Sequence, residues 1–141
     1  MACYLDPQDT VFSLLAVEDD PVARDLMGKA ICYAFPKLRL LTAENGVAGL
    51  ELYKEHRPDI VLTDVRMPVM DGIAMAAEIK RLDPEAVIAV VSAYCDTAQY
   101  ISSAEAIGIH HYIRKPVDFD ALFATIRDCL GEVITDQCCA G

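Results

Sequence analysis

The strongest constraint on this chain is an alternation. Short, almost wholly apolar runs take turns with longer stretches in which apolar residues recur every three or four positions. The runs at 11–17, 60–63 and 87–91 carry at most one hydroxyl each and no charge. A strand without a polar face must be covered on both sides, which helices do for a parallel sheet. Segments 38–42 and 111–113 are further short strand candidates, each with a polar residue among apolar ones.

The intervening stretches carry helix signals. Asp20 is placed to cap a first helix, and Pro21 suits its first position. Val22, Leu26, Ile31 and Ala34 form its expected apolar face, and Pro36 lies beyond its end. Asn45-Gly46 makes a turn into a helix over 47–56 with Leu50 and Tyr53 inward. Pro68 and Asp71-Gly72 punctuate a loop over 65–72 before a helix at 73–82. A helix over 96–107 is closed by Gly108, and Asp118 caps a last one whose core stripe is Phe119, Leu122, Phe123, Ile126 and Leu130. The expectation is an α/β fold: a doubly wound, five-stranded parallel sheet with five helices. The 141 residues suit one domain with its own core. The predicted divisions are an extension at 1–10, the domain at 11–131, and a tail or linker start at 132–141.

Charge and cysteines narrow the function. The formal net charge is −10, from 22 acidic and 12 basic residues, a field that repels phosphate backbones and argues against direct nucleic-acid binding. The six cysteines show no C-x-x-C spacing, which argues against zinc. Cys32 and Cys129 read as buried thiols, and Cys138-Cys139 as part of a frayed terminus. The N-terminus has no signal-peptide form, and no apolar run is long enough to span a bilayer. A cytoplasmic location away from membranes is the default.

In open α/β sheets the reactive edge lies at the carboxyl ends of the strands. The residues just past those ends are Glu18 and Asp19, Asp64, Ser92 and Lys115. Carboxylates gathered on one rim repel one another unless a cation joins them, and a hard divalent ion such as magnesium suits oxygen ligands. An ion, an ammonium and a hydroxyl are what the equatorial oxygens of a phosphoryl group require. An aspartate among them can attack phosphorus. Taken singly, each residue has a plainer role: Asp64 as a helix cap, Glu18 and Asp19 as acids beside a helix dipole, Lys115 as a solvated surface lysine.

These residues stand in motifs that resemble the receiver domains of bacterial response regulators. The motifs are Leu14-Leu15-Ala16-Val17-Glu18-Asp19-Asp20-Pro21, Pro58-Asp59-Ile60-Val61-Leu62-Thr63-Asp64-Val65-Arg66-Met67-Pro68, Met70-Asp71-Gly72, Val90-Val91-Ser92-Ala93 and Tyr112-Ile113-Arg114-Lys115-Pro116. The resemblance covers about residues 11–131 and implies a flavodoxin-like (βα)5 fold with strand order 2-1-3-4-5. It implies Asp64 as phosphoacceptor, assisted by Ser92 and Lys115. Magnesium, with manganese as the alternative, would be held by Asp19, Asp64, Glu18 through water, and the backbone carbonyl of Arg66. Ser92 and Tyr112 would be the switch pair, Lys115-Pro116 a cis peptide, and Arg66 and Tyr94 residues that tune phosphoryl lifetime. The implied partner is a histidine kinase or phosphotransfer protein. The implied output is a change in the face made by the fourth helix, fifth strand and fifth helix, in a monomer or a weak dimer through that face.

Departures from the common pattern are modest. Glu18 stands where aspartate is frequent and Ser92 where threonine is, and the adjacent His110-His111 point to opposite faces, as edge or surface residues. A phosphatase of the haloacid dehalogenase type would need an acid two residues after Asp64, where Arg66 stands. A flavin carrier would need a neutral phosphate loop in place of Glu18-Asp19-Asp20. A degenerate, binding-only receiver would lack Asp64, an acidic partner or Lys115. The start of the last helix, Val117-Asp118-Phe119-Asp120, resembles receivers of larger hybrid sensory proteins, so a fragment is expected over a stand-alone protein.

Overall fold

The strands pair in the order β2-β1-β3-β4-β5, all parallel. They are β1 (Ser13–Val17), β2 (Arg39–Ala43), β3 (Ile60–Asp64), β4 (Val87–Ser92) and β5 (His111–Arg114). The helices are α1 (Pro21–Ala34), α2 (Gly46–His56), α3 (Gly72–Leu82), α4 (Ala98–Ala106) and α5 (Phe119–Ala140). This computed structural model describes residues 12–93 and 98–140, apart from the side chains of 99 and 136–140. Tyr94, Cys3, Cys95 and the Cys138 and Cys139 thiols lie outside the described residues, as do the N-terminal extension and Asp96.

Alternation along each strand divides the core. Leu14, Ala16, Leu62, Ala89 and Ile113 face α1 and α5, whereas Leu15, Val17, Val61, Ile88 and Val90 face the side of α2, α3 and α4. The central strands β3 and β4 are buried throughout, as runs without a polar face require. Each large apolar side chain removed from water there contributes roughly 1.5–3 kcal/mol.

Asx residues start the first three helices. Asp20 accepts from Val22 N at 3.0 Å, Asn45 from Ala48 N at 2.9 Å and Asp71 from Ala74 N at 2.7 Å. Asp118 likewise accepts from Asp120 N at the start of α5. Gly108 closes the α4 turn with φ +90°, a conformation that favours glycine. The strands expected at 38–42 and 111–113 form one residue later and one residue longer. The last helix runs past residue 131, with Val133 buried.

Helix α1 turns inward only part of the face expected. Ile31 is fully buried as expected and Ala34 half-buried, but Val22 and Leu26 are 74% and 56% exposed, and Met27 and Gly28 are buried in their place. The sequence of α1 offers two apolar stripes, and the sheet takes the one holding Gly28. A Cβ at Gly28 would lie 3.3 Å from Leu40 Cδ2, so the helix approaches the sheet where a side chain is missing. The same rotation exposes Cys32, contrary to the expected buried thiol, whereas Cys129 is buried as expected. Phe119, expected in the core stripe of α5, is 37% exposed at the rim and stacks on Phe123.

Two described residues other than glycine take a left-handed conformation, Arg57 at the end of α2 with φ +47° and Val69. Val69, in the loop before α3, has φ +71° and is 81% exposed. The left-handed region costs a residue with a Cβ roughly 1–2 kcal/mol, more than the entropy lost by ordering glycine. Val69→Gly is therefore expected to raise stability by about 1 kcal/mol, read as a higher urea midpoint with unchanged slope.

Candidate functional site

The carboxyl ends of β1, β3, β4 and β5 meet at one rim. Glu18 extends the β1 ladder, its N–H donating to Ala43 O at 3.1 Å. Arg24, one turn into α1, donates from Nη1 to the Glu18 carbonyl at 2.8 Å. Asp64 closes β3. Its Oδ1 accepts from Val65 N at 2.9 Å, and its carbonyl accepts from Thr63 Oγ1 at 2.9 Å. One carboxylate oxygen is thus held by backbone while the other faces the rim.

Lys115 reaches that other oxygen from the end of β5. Its Nζ donates to Asp64 Oδ2 at 2.8 Å and lies 3.6 Å from Glu18 Oε1. The Lys115 N–H donates to Ser92 O at 2.8 Å, which ties the ends of β5 and β4 together. The Lys115–Pro116 bond is cis. Ser92 is buried at the end of β4. The oxygens of Glu18, Asp19 and Asp64 lie within 4.8 Å of one another, and among the described residues this is the group of His, Cys or acidic side chains able to hold a metal ion. His110 is exposed, and His111 pairs with Glu132 at 2.7 Å, so the two histidines act apart.

The electrostatics are unbalanced, with three carboxylates facing one ammonium. Burial, and next the charge of Asp64, push the Glu18 carboxyl up from 4.5 to about 7. Burial alone would lower the Lys115 ammonium, but the hydrogen bond and charge of Asp64, with Glu18 behind them, hold it above its usual value. The candidate metal ligands at this rim are all hard oxygens, and three carboxylates against one ammonium leave negative charge in excess. The residues therefore fit a magnesium ion.

A stability effect follows from Glu18. Its folded-state pKa lies above the unfolded value, so the folded protein binds the proton more tightly. That contribution is complete below pH 4.5 and is lost as pH rises through about 7. The metal-free protein is expected to melt at a lower temperature at pH 8 than at pH 6, with added magnesium reversing the loss at pH 8. Thermal melts in chelator and in magnesium check both halves.

Two other candidates lie off the cleft. Tyr112 is half-buried on β5, with its hydroxyl donating to Ile109 O at 2.9 Å, and burial followed by Glu105 raises its pKa. Arg66 sends its guanidinium to the Tyr100 ring of α4. The cleft itself, about 340 Å³, has an apolar wall that includes Ala23, Leu26, Val117 and Phe119, of which the sequence pattern placed Leu26 and Phe119 in the core. The available signal was Val22 and Leu26, spaced i and i+4 beside Asp20 and out of phase with Met27 and Ile31.

Among the described residues, no helix is long and apolar enough to cross a membrane. The family model described as response regulator receiver domain matches residues 14–127. The transcriptional regulatory protein GlrR of Escherichia coli is 32% identical over 117 residues, which are 83% of this chain and 26% of that protein. The chain thus spans about a quarter of that relative's length. The chemotaxis protein CheY of Halobacterium salinarum is 33% identical over 117 residues, covering 83% of this chain and 95% of that one. The N-terminal domain of an uncharacterized protein from Wolinella succinogenes superposes with a TM-score of 0.80 at 30% identity, over 89% of this chain and 98% of that one. A doubly wound sheet in the order 2-1-3-4-5, an acidic rim bridged by a lysine, and these matches agree: the chain belongs to the response regulator receiver domains of two-component signalling.

Proposed function

We propose that Asp64 accepts a phosphoryl group from a histidine kinase or a histidine phosphotransfer protein. The observation that carries this reading is Lys115 joined to Asp64 at 2.8 Å in a cleft that also holds Glu18 and Asp19. A carboxylate oxygen of Asp64 attacks phosphorus as the donor's P–N bond breaks, and the imidazole leaves with the electron pair. Val65 N–H fixes the carboxylate plane during the attack. Lys115 Nζ and the Ser92 hydroxyl then donate to the new phosphoryl oxygens. Asp19, Asp64, the Arg66 carbonyl and, through water, Glu18 would hold magnesium, or manganese, which would offset negative charge at phosphorus. Arg66, two residues past Asp64, supplies no proton to a leaving group, which separates a switch from a phosphatase. The chain turns over no external substrate and works in the cytoplasm.

The signal is a population shift. Ser92 drawn to the phosphoryl group moves the end of β4, and Tyr112 turns inward in response. The face of α4, β5 and α5 then changes its fit to an output domain or a second copy.

Val22 and Leu26, exposed beside the cleft with Phe119, form an apolar landing for the phosphodonor protein. Val22→Asn, a neutral change outside the cleft lining, is expected to slow transfer from a phosphohistidine protein about tenfold, the loss of roughly 1.4 kcal/mol of contact. The rate with acetyl phosphate should not change. Parallel single-turnover assays with the two donors check this.

The central test uses the wild-type chain with magnesium and acetyl phosphate or phosphoramidate. A hydroxylamine-labile phosphoryl adduct, mapped by peptide mass to Asp64 and lost in chelator, is expected. No adduct with any donor, or rapid turnover of a phosphate ester, would overturn the proposal.

A further inference from the structure

Of the three acids at the rim, Asp19 alone is exposed, and it belongs to neither β1 nor α1. Its neighbours on both sides are fixed. Asp20 caps α1 through Val22 N, and the Glu18 N–H donates to Ala43 O at 3.1 Å. The ladder with β2 stops there, since Asn45 already caps α2. The Glu18 carbonyl instead accepts from Arg24 Nη1 at 2.8 Å, a short and charge-assisted bond. That carbonyl and the Asp19 N–H share one rigid peptide plane. Arg24 is half-buried on α1 and lines a groove with Gly28, Leu40 and Thr42. It does not line the cleft at Asp64, so it acts on the rim through Glu18.

We infer that Arg24 is a positioning residue: by holding the Glu18 carbonyl it fixes the peptide plane that enters Asp19, and so aims the Asp19 carboxylate at the metal. This rests on the proposed function, with the rim as a magnesium site and Asp64 as the phosphoacceptor. A fixed plane before Asp19 and the Asp20 cap after it leave Asp19 little backbone freedom. A ligand held ready in this way loses less entropy when the ion binds. Without Arg24 the Glu18–Asp19 peptide is free to turn its carbonyl to water, and the Asp19 side chain then starts from a range of directions. Charge works in the opposite sense. A guanidinium beside the rim repels a divalent cation, so an Arg24 acting by charge alone would weaken metal binding. The two effects therefore predict opposite signs when Arg24 is removed. Residues that orient a metal ligand from behind typically alter affinity by about ten- to a hundredfold.

The experiment compares wild type with Arg24→Met, which keeps an aliphatic stem and loses the donors and the charge. Magnesium chloride is titrated into each chelator-treated, dialysed protein, and the amide resonances of Asp64 and Val65 are followed. The magnesium dissociation constant is expected to rise about tenfold in Arg24→Met. An unchanged or tighter constant overturns the inference. Arg24→Ala, which removes the stem as well, repeats the titration with the same expected sign and the same overturning result. In chelator the Glu18 carbonyl carbon resonance should differ between wild type and Arg24→Met, and a resonance that does not move overturns the inference too. At limiting magnesium Arg24→Met should form the acetyl phosphate adduct about tenfold more slowly, in step with its affinity. At saturating magnesium its rate should return to that of wild type. A deficit that persists at saturation means that Arg24 serves the fold or the nucleophile rather than a metal ligand, and overturns the inference. A wild type that binds no magnesium does so as well. If Arg24→Met weakens magnesium binding as expected but neither protein takes a phosphoryl group, the phosphoacceptor reading fails while the positioning role stands.

Discussion

Asp64→Ala is expected to lose the phosphoryl adduct entirely, yet to melt no lower than the wild type in chelator. The first half follows from the loss of the nucleophile: Glu18 and Asp19 remain just past β1, but neither has the Val65 N–H and Lys115 Nζ hydrogen bonds that orient the Asp64 carboxylate. The second half follows from the charge count. After burial, the charge of Asp64 helps to raise the Glu18 pKa, so its removal relieves repulsion between buried carboxylates. Lys115 loses its 2.8 Å partner but keeps Glu18 at 3.6 Å. The native site is thus one where function is held at the expense of stability. Intact mass after incubation with acetyl phosphate and a thermal melt in chelator check the two halves. An undiminished adduct on the variant would place the phosphoryl group elsewhere. A clear fall in melting temperature would mean that the Lys115 pair outweighs the repulsion.

Gly72→Ala is expected to be severely destabilising, by about 3 kcal/mol or more, the upper end for overpacking. Helix propensity predicts the reverse, since alanine exceeds glycine by about 1 kcal/mol inside a helix. The contact decides between them. A Cβ on Gly72 would fall 1.9 Å from the Asp64 carbonyl oxygen and 2.9 Å from Thr63 Oγ1. Neither the backbone oxygen nor the buried end of β3 can retreat cheaply. Accommodation requires α3 to move off the end of β3, where Gly72 N–H now donates to Val65 O at 2.8 Å. Since Val65 N–H holds Asp64, the adduct yield should fall as well. A urea titration and the acetyl phosphate assay test the two effects, and an unchanged midpoint would mean that the loop yields freely.

The part of the site legible in the sequence was the set of polar residues following apolar runs. A parallel strand–helix alternation places all strand ends on one edge, so Glu18, Asp19, Asp64, Ser92 and Lys115 could be gathered before any coordinates. Tyr112 and Arg66 were named from motif resemblance, but where their side chains go was not legible. Arg66 could have entered the cleft or left it, and the ring that receives it lies 34 residues further along the chain. The exposed Leu26 was misjudged for a related reason. A helix with two apolar stripes does not announce which one the sheet will take.

The sequence by itself determined the class of fold and the chemistry of its rim, because periodicity and turn residues act over a few neighbours and strand connectivity does the rest. Only the tertiary structure decided the pairings. Lys115 on Asp64 and Arg66 on Tyr100 join segments distant in sequence, while Gly28 against Leu40 and Gly72 against the end of β3 join neighbouring elements. Their outcome depends on how closely packed surfaces fit, which no local pattern encodes.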